Sequence, residues 1–165
     1  MRMELWDAYD QNGNRTGDTL VRGQPIPQGL YHLVCGIVVR HVNGDFLLML
    51  RSAEKEVYPN AWEIGAGGSA LQGESSLACA RRELREETGI VCEDLVFQDR
   101  QVRGNAIYDG YLCITDWPKD QIRLQVGETV DYRWLSQAEF VRYFDSDTCI
   151  PPLRERLWAF VDTLR

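Results

Sequence analysis

Three glutamates, Glu83, Glu86 and Glu87, lie within five residues of one another in the run GSALQGESSLACARRELREETGI, which extends from Gly68 to Ile90. On a helix the side chains at 83 and 87 are neighbours one turn apart, so their carboxylates repel. A hard divalent cation takes oxygen ligands and is commonly held by one or two carboxylates together with waters and substrate phosphates. The cluster therefore suits magnesium, or manganese. A charged face neutralised by Arg81, Arg82 and Arg85 is the competing account of the same residues.

The element that must carry them is a helix. Leu77, Ala80, Leu84 and Thr88 recur at three- and four-residue steps and make one apolar stripe, with the glutamates beside it. Ser75 or Ser76 can cap its start, and Gly89 stands where a left-handed residue usually ends a helix.

Gly68, five residues, Glu74, seven residues, then Arg82-Glu83-Leu84-Arg85-Glu86-Glu87-Thr88-Gly89-Ile90 match the Nudix box at every specified position, and the stretch resembles the Nudix hydrolases. The resemblance implies an α/β protein, an α/β/α sandwich with a mixed sheet and a loop-helix-loop motif. It implies hydrolysis, by metal-activated water, of a diphosphate bond in a nucleoside diphosphate linked to another moiety. By matched position Glu83, Glu86 and Glu87 would bind Mg2+ or Mn2+, joined by a carbonyl near Gly67 or Gly68. Glu83, Glu86 or another nearby carboxylate would take the proton of the attacking water. Glu74 and Arg82 would brace the loop against the helix, with Gly68 and Gly89 as the glycines of the motif. Glu128, six residues before Trp134 in GETVDYRWLS, resembles the downstream glutamate that many Nudix hydrolases bring over the metal. Its competing reading is a surface carboxylate at a strand edge.

The region from LWDAYDQNGNRTG through YHLV to the box also resembles isopentenyl diphosphate isomerase, a Nudix relative. In that pattern a cysteine precedes the box glycine and a histidine follows it, whereas this chain has Gly67 and Ser69. Of the histidines of its metal site only His32 matches. The missing acid-base cysteine argues against isomerase activity. The intact box argues against a third reading, a module that senses nucleotides without turning them over.

A chain of 165 residues with 44% hydrophobic content suits one domain, residues 1–165, with an N-terminal hairpin segment, 1–29, packed on it. The net charge of -7 opposes binding of a nucleic acid polymer through a general basic surface. A small diphosphate substrate remains compatible, because metal can supply local positive charge. MRMELWDAYD has no apolar core of signal-peptide length, and no run approaches the roughly 20 apolar residues of a membrane span. The expected location is cytoplasmic. Five cysteines, an odd number without a CxxC pair, indicate neither a disulfide framework nor a zinc site.

Strands are expected at Glu4 to Tyr9 and Thr19 to Arg22 around the turn DQNGNRTG. The spacing there fails as a calcium loop because Val21 stands where a closing glutamate is needed. Tyr31 to Val42 reads as a central strand, Asn43-Gly44 as a hairpin turn and Asp45 to Arg51 as the returning strand. Val91 to Val102, Ala106 to Thr115 and Asp131 to Leu135 read as further strands. Ser136-Gln137-Ala138-Glu139 is a capping box that opens one helix, and Pro151-Pro152 starts another. Arg51, Lys55 and Trp62 gather before the box as candidate substrate-binding residues, a phosphate clamp with an aromatic wall, against which Lys55 pairing with Glu54 or Glu56 competes. His32 reads as structural or surface and His41 as exposed. A homodimer is compatible, since many Nudix relatives pair through their sheets or terminal segments.

Overall fold

Strand β3 (His32–His41) is apolar at nearly every position because both of its faces are covered. In the computed structural model, which describes residues 2–165, Leu33, Cys35, Ile37 and Val39 enter one core and Val38 enters another. Strand β4 (Phe46–Arg51) follows the same logic, with Leu47 and Met49 in the first core and Phe46 and Leu48 in the second.

The other elements are β1 (Leu5–Tyr9), β2 (Arg15–Val21), β5 (Trp62–Ile64), β6 (Ala66–Ser69), α1 (Ser76–Thr88), β7 (Val96–Arg103), β8 (Ala106–Thr115), β9 (Thr129–Leu135), α2 (Gln137–Asp145) and α3 (Pro151–Asp162). Strands β3 to β9 make a mixed sheet in which β3 and β8 run parallel and the other pairs antiparallel. Helix α1 covers the first core through Ala80 and Leu84. Helices α2 and α3 cover the second through Phe140, Phe144 and Val161, with the rings of Phe46 and Phe140 stacked at 4.3 Å. The layers are those of an α/β/α sandwich.

The sheet opens between β3 and β4, whose registered contact is confined to Arg40 and Phe46 at the hairpin end. The segment WEIGAGGS fills the opening: β5 pairs with β4, and β6 pairs with β3. Gly65 is the point of crossing. Its φ is 62°, and a Cβ there would stand 1.9 Å from the carbonyl oxygen of Ile37. Alanine would meet both a left-handed backbone and a backbone atom that cannot move aside. Gly65→Ala is expected to cost about 3 kcal/mol or more and to lower Tm by roughly 10 °C in a thermal melt. An unchanged Tm would contradict the crossing as described.

Most expected boundaries hold within a few residues. The exceptions have local causes. Strand β2 begins at Arg15, since Asp10 closes the turn early by accepting from the N–H groups of Asn12 at 2.9 Å and Asn14 at 3.0 Å. Strand β7 begins at Val96, because Ile90, Cys92 and Leu95 pack into the α1-side core as a connection. His41 is half-buried, edge-on to Trp134 at 5.7 Å, where exposure was expected. His32 stacks on Trp6 at 4.5 Å, the structural role expected of it. All five cysteines are free thiols. Among the described residues no helix is long and apolar enough to cross a membrane.

The hairpin of β1 and β2 forms its own small core of Trp6, Ala8 and Leu20 and grips the loop ahead of α1. Gln72 donates its N–H to the Leu5 carbonyl at 2.9 Å, Gly73 donates to Asp7 Oδ2 at 2.8 Å, and Arg15 donates to the Glu74 carbonyl at 2.9 Å.

Candidate active site

Helix α1 begins where Ser75 Oγ accepts from the Ala78 N–H at 3.1 Å and ends at Gly89, whose φ of 81° turns the chain. Ala80, Leu84 and Thr88 of the apolar stripe are buried, with Leu77 packed at its edge, and this sets the direction of the three glutamates.

Arg82 ties loop to helix. Its Nε and Nη2 donate to the two oxygens of Glu74 at 2.7 and 2.9 Å, Nη2 donates to the Ser69 carbonyl at 3.1 Å, and Nη1 reaches Glu83 at 2.8 Å and Glu86 at 3.2 Å. Burial alone pushes the Glu74 carboxyl up, but the Arg82 bonds prevail and hold it below the usual range.

The glycines shape the carboxylate side. A Cβ on Gly68 would stand 2.4 Å from the Glu83 carboxyl carbon, so glycine there makes room for that carboxylate. A Cβ on Gly67 would stand 2.8 Å from the Cys35 carbonyl oxygen, across the β3–β6 ladder. Cys79, one turn before Glu83, donates its thiol to the Gly68 carbonyl at 3.6 Å.

Glu87 is 7% exposed and, among the described residues, has no ion pair. Burial pushes its carboxyl well above the ordinary range, the charges of Glu63 and Glu83 push it further, and the Gly67 amide opposes them. Burial likewise raises Glu83 against the pull of Arg82, and raises Glu63 against the pull of Arg51. Glu128 adds its charge beside Glu63. Glu63, Glu83, Glu86, Glu87 and Glu128 thus share one region, where the cations paired with its members are Arg51, Lys55 and Arg82.

Among the described residues no three His, Cys, Asp or Glu groups already stand in a coordinating arrangement, and Arg82 Nη1 engages one oxygen each of Glu83 and Glu86. The donor set nevertheless fits a hard cation. It is made only of carboxylate and carbonyl oxygens, it includes a buried carboxylate without a counter-charge, and the bare Gly68 leaves space at Glu83.

The residues expected to bind substrate make contacts within the protein. Arg51 donates to Glu63 at 2.8 Å and to the carbonyls of Val57 and Tyr58 at 2.8 and 3.1 Å. Lys55 pairs with Glu128 at 2.5 Å, neither with Glu54 nor with Glu56. Trp62 lies under the Arg133 guanidinium at 4.3 Å, and its carbonyl accepts from the Tyr143 hydroxyl.

Glu63 is the member of the cluster that sequence reading missed. Its signal was the alternation Trp62-Glu63-Ile64, a charge between two apolar residues. Once that run is a strand, the middle residue faces opposite its neighbours, across from Met49 and on the α1 side.

A cavity of about 550 Å³ adjoins the cluster between the sheet and α3. Glu63, Gly67 and Gly68 line one part of it, and Tyr108, Arg156 and Phe160 another.

Comparisons with known proteins agree with this architecture. The NUDIX domain family matches residues 30–154. An uncharacterised Nudix hydrolase of Listeria monocytogenes is 34% identical over 154 residues, covering 90% of this chain and 89% of that one. The isopentenyl-diphosphate Delta-isomerase of Klebsiella pneumoniae is 26% identical over 136 residues, covering 78% and 69%. Among solved structures, a Deinococcus radiodurans protein superposes with a TM-score of 0.75 at 19% identity, covering 94% of this chain and 98% of that one. With this fold, an unbroken box and a match over most of its length, the chain belongs to the Nudix family as a Nudix hydrolase.

Proposed function

We propose that the protein cleaves a diphosphate bond in a small molecule, a nucleoside diphosphate linked to another moiety, with Mg2+ or Mn2+ held by Glu83, Glu86, Glu87 and the Gly67 carbonyl. The observation that carries the reading is Glu87, a buried carboxyl that has no cationic partner among the described residues and has Glu63 and Glu83 close by. The proposed setting is the cytoplasm, and the net charge of -7 supports a small substrate over a nucleic acid polymer.

A divalent cation, when bound there, would supply Lewis acidity toward diphosphate oxygens and lower the pKa of water. The protein's own part is to position groups. Arg82 holds loop and helix together, so that Gly68 faces Glu83. A proton from the attacking water needs a carboxylate that water can reach. Glu86 and Glu128, with side chains 40% and 41% exposed, satisfy this better than Glu83 at 12%. Lys55 fixes Glu128 at the rim, and Arg51 fixes Glu63 beneath it.

The isomerase reading is disfavoured by the same backbone. Gly67 occupies the place of the isomerase cysteine, and a side chain there would run into the Cys35 carbonyl.

The test is release of nucleoside monophosphate from a panel of nucleotide sugars, dinucleotides, coenzyme A and oxidised nucleotides with magnesium. Turnover of at least one class, abolished by EDTA, is expected. No release from any of them, by the wild type at high enzyme concentration, would contradict the reading.

A further inference from the structure

The cavity beside α3 holds a feature that the proposed reaction does not use. Arg156 lines it on α3, with its guanidinium 4.4 Å from the centre of the Tyr108 ring. Among the described residues that guanidinium has no ion pair and donates no hydrogen bond to the protein. Glu155 is within ion-pair distance of Arg103, at 3.5 Å, and Asp99 is held by Gln101 Nε2 at 2.6 Å. Burial pulls the basicity of Arg156 below the usual guanidinium range. Its nitrogens are not among the buried unpartnered atoms, so they stay open to whatever enters the cavity, and an incoming anion can take their donors without breaking a contact within the protein.

The sheet below is open over Gly36, while over Gly110 a Cβ would stand 2.6 Å from Asp99 Oδ1. Gly36 and Gly110 are registered partners on β3 and β8, and a Cβ on Gly36 would meet nothing within 4 Å, so the space above it is open. The cavity wall is mostly apolar, with Val34, Val38, Leu157 and Phe160 around that floor. The lining runs from Glu63 and the Gly67–Gly68 backbone through the apolar stretch to Arg156, with Asp99 the carboxylate nearest that end.

We infer that Arg156 anchors an anionic group, a carboxylate or a phosphate monoester, carried by the moiety beyond the diphosphate, so that the preferred substrate has a second negative charge away from the scissile bond. This rests on the diphosphate reading above. Guanidinium binds carboxylate and phosphate through paired donors, and a charged pair of this kind outweighs a neutral contact. A purely hydrocarbon tail would fill the apolar stretch and leave Arg156 without an acceptor.

The test uses matched pairs that differ by one anion on the group beyond the diphosphate: UDP-glucuronate against UDP-glucose for the carboxylate, and ADP-ribose 1″-phosphate against ADP-ribose for the phosphate. Dissociation constants are measured by titration calorimetry without added metal, on wild type, Arg156→Met and Arg156→Lys. The wild type is expected to bind the charged member of at least one pair about 10-fold or more tightly than its neutral partner. Arg156→Met is expected to lose that preference while keeping its affinity for the neutral member, and Arg156→Lys to retain part of it. Equal binding within both pairs, including binding of neither member, overturns the inference, as does a preference that survives in Arg156→Met. Hydrolysis with magnesium is followed separately, and its absence beside intact charge discrimination would fault the diphosphate reading and leave the anchor standing.

Discussion

Glu87→Gln is expected to lower kcat by about 10²–10³-fold and, in the metal-free protein, to raise Tm. The two effects have one origin. Glu87 is buried, without a cationic partner among the described residues and crowded by Glu63 and Glu83, so the charge it carries in the unfolded chain must be either buried or neutralised by a proton when the empty protein folds, and both are destabilising. Glutamine keeps the shape and removes that charge, which relieves the fold, while the loss of a preorganised oxygen ligand has the scale usual for one electrostatic contact in an active site. A carboxylate retained against stability is what a bound cation accounts for. Parallel melts with and without magnesium separate the effects: the cation should stabilise the wild type and leave Glu87→Gln nearly unmoved. A Glu87→Gln protein of full activity, or one that melts well below the wild type without metal, would contradict this account.

Arg82→Ala is the second large effect, and of the opposite kind. Arg82 joins Glu74, Glu83, Glu86 and the Ser69 carbonyl, and its side chain and those of Glu74 and Glu83 are mostly shielded from water. Removing it leaves two shielded carboxylates without their cation, a change that costs about 3–5 kcal/mol. Tm should fall by roughly 10 °C, and activity should fall with it because the loop of Gly67 and Gly68 loses its tie to α1. Arg82→Lys should recover little, since one ammonium cannot make the paired contacts to Glu74 together with the bond to Ser69. Recovery of both stability and activity in Arg82→Lys would show that charge alone suffices.

The local parts of this picture were readable in the residues. Ser75, Gly89 and the 77-80-84-88 stripe define α1 through caps and periodicity that depend on near neighbours, and the Ser136–Glu139 capping box does the same for α2. The unbroken apolar runs of β3 and β4 pointed to burial on both faces. What escaped depends on distant pairing. WEIGAGG is rich in glycine and follows neither strand nor helix spacing past Ile64, yet each half finds a different strand across the opening in the sheet, and only Gly65 makes the change of partner possible. Glu63 acquires its direction from that pairing. The partner of Lys55 is 73 residues away, beyond what helical or strand spacing can suggest. Arg51 and Trp62 stood near the expected entrance, but Glu63 and Arg133 engage them.

The most direct test of the central claim is a crystal of the wild-type protein soaked in manganese and measured at the manganese absorption edge. The account predicts anomalous density bonded to carboxylate oxygens from among Glu83, Glu86 and Glu87, beside Gly67, with the Arg82 contact to Glu86 released. Anomalous density elsewhere, or none while Arg82 still holds both Glu83 and Glu86, would contradict it.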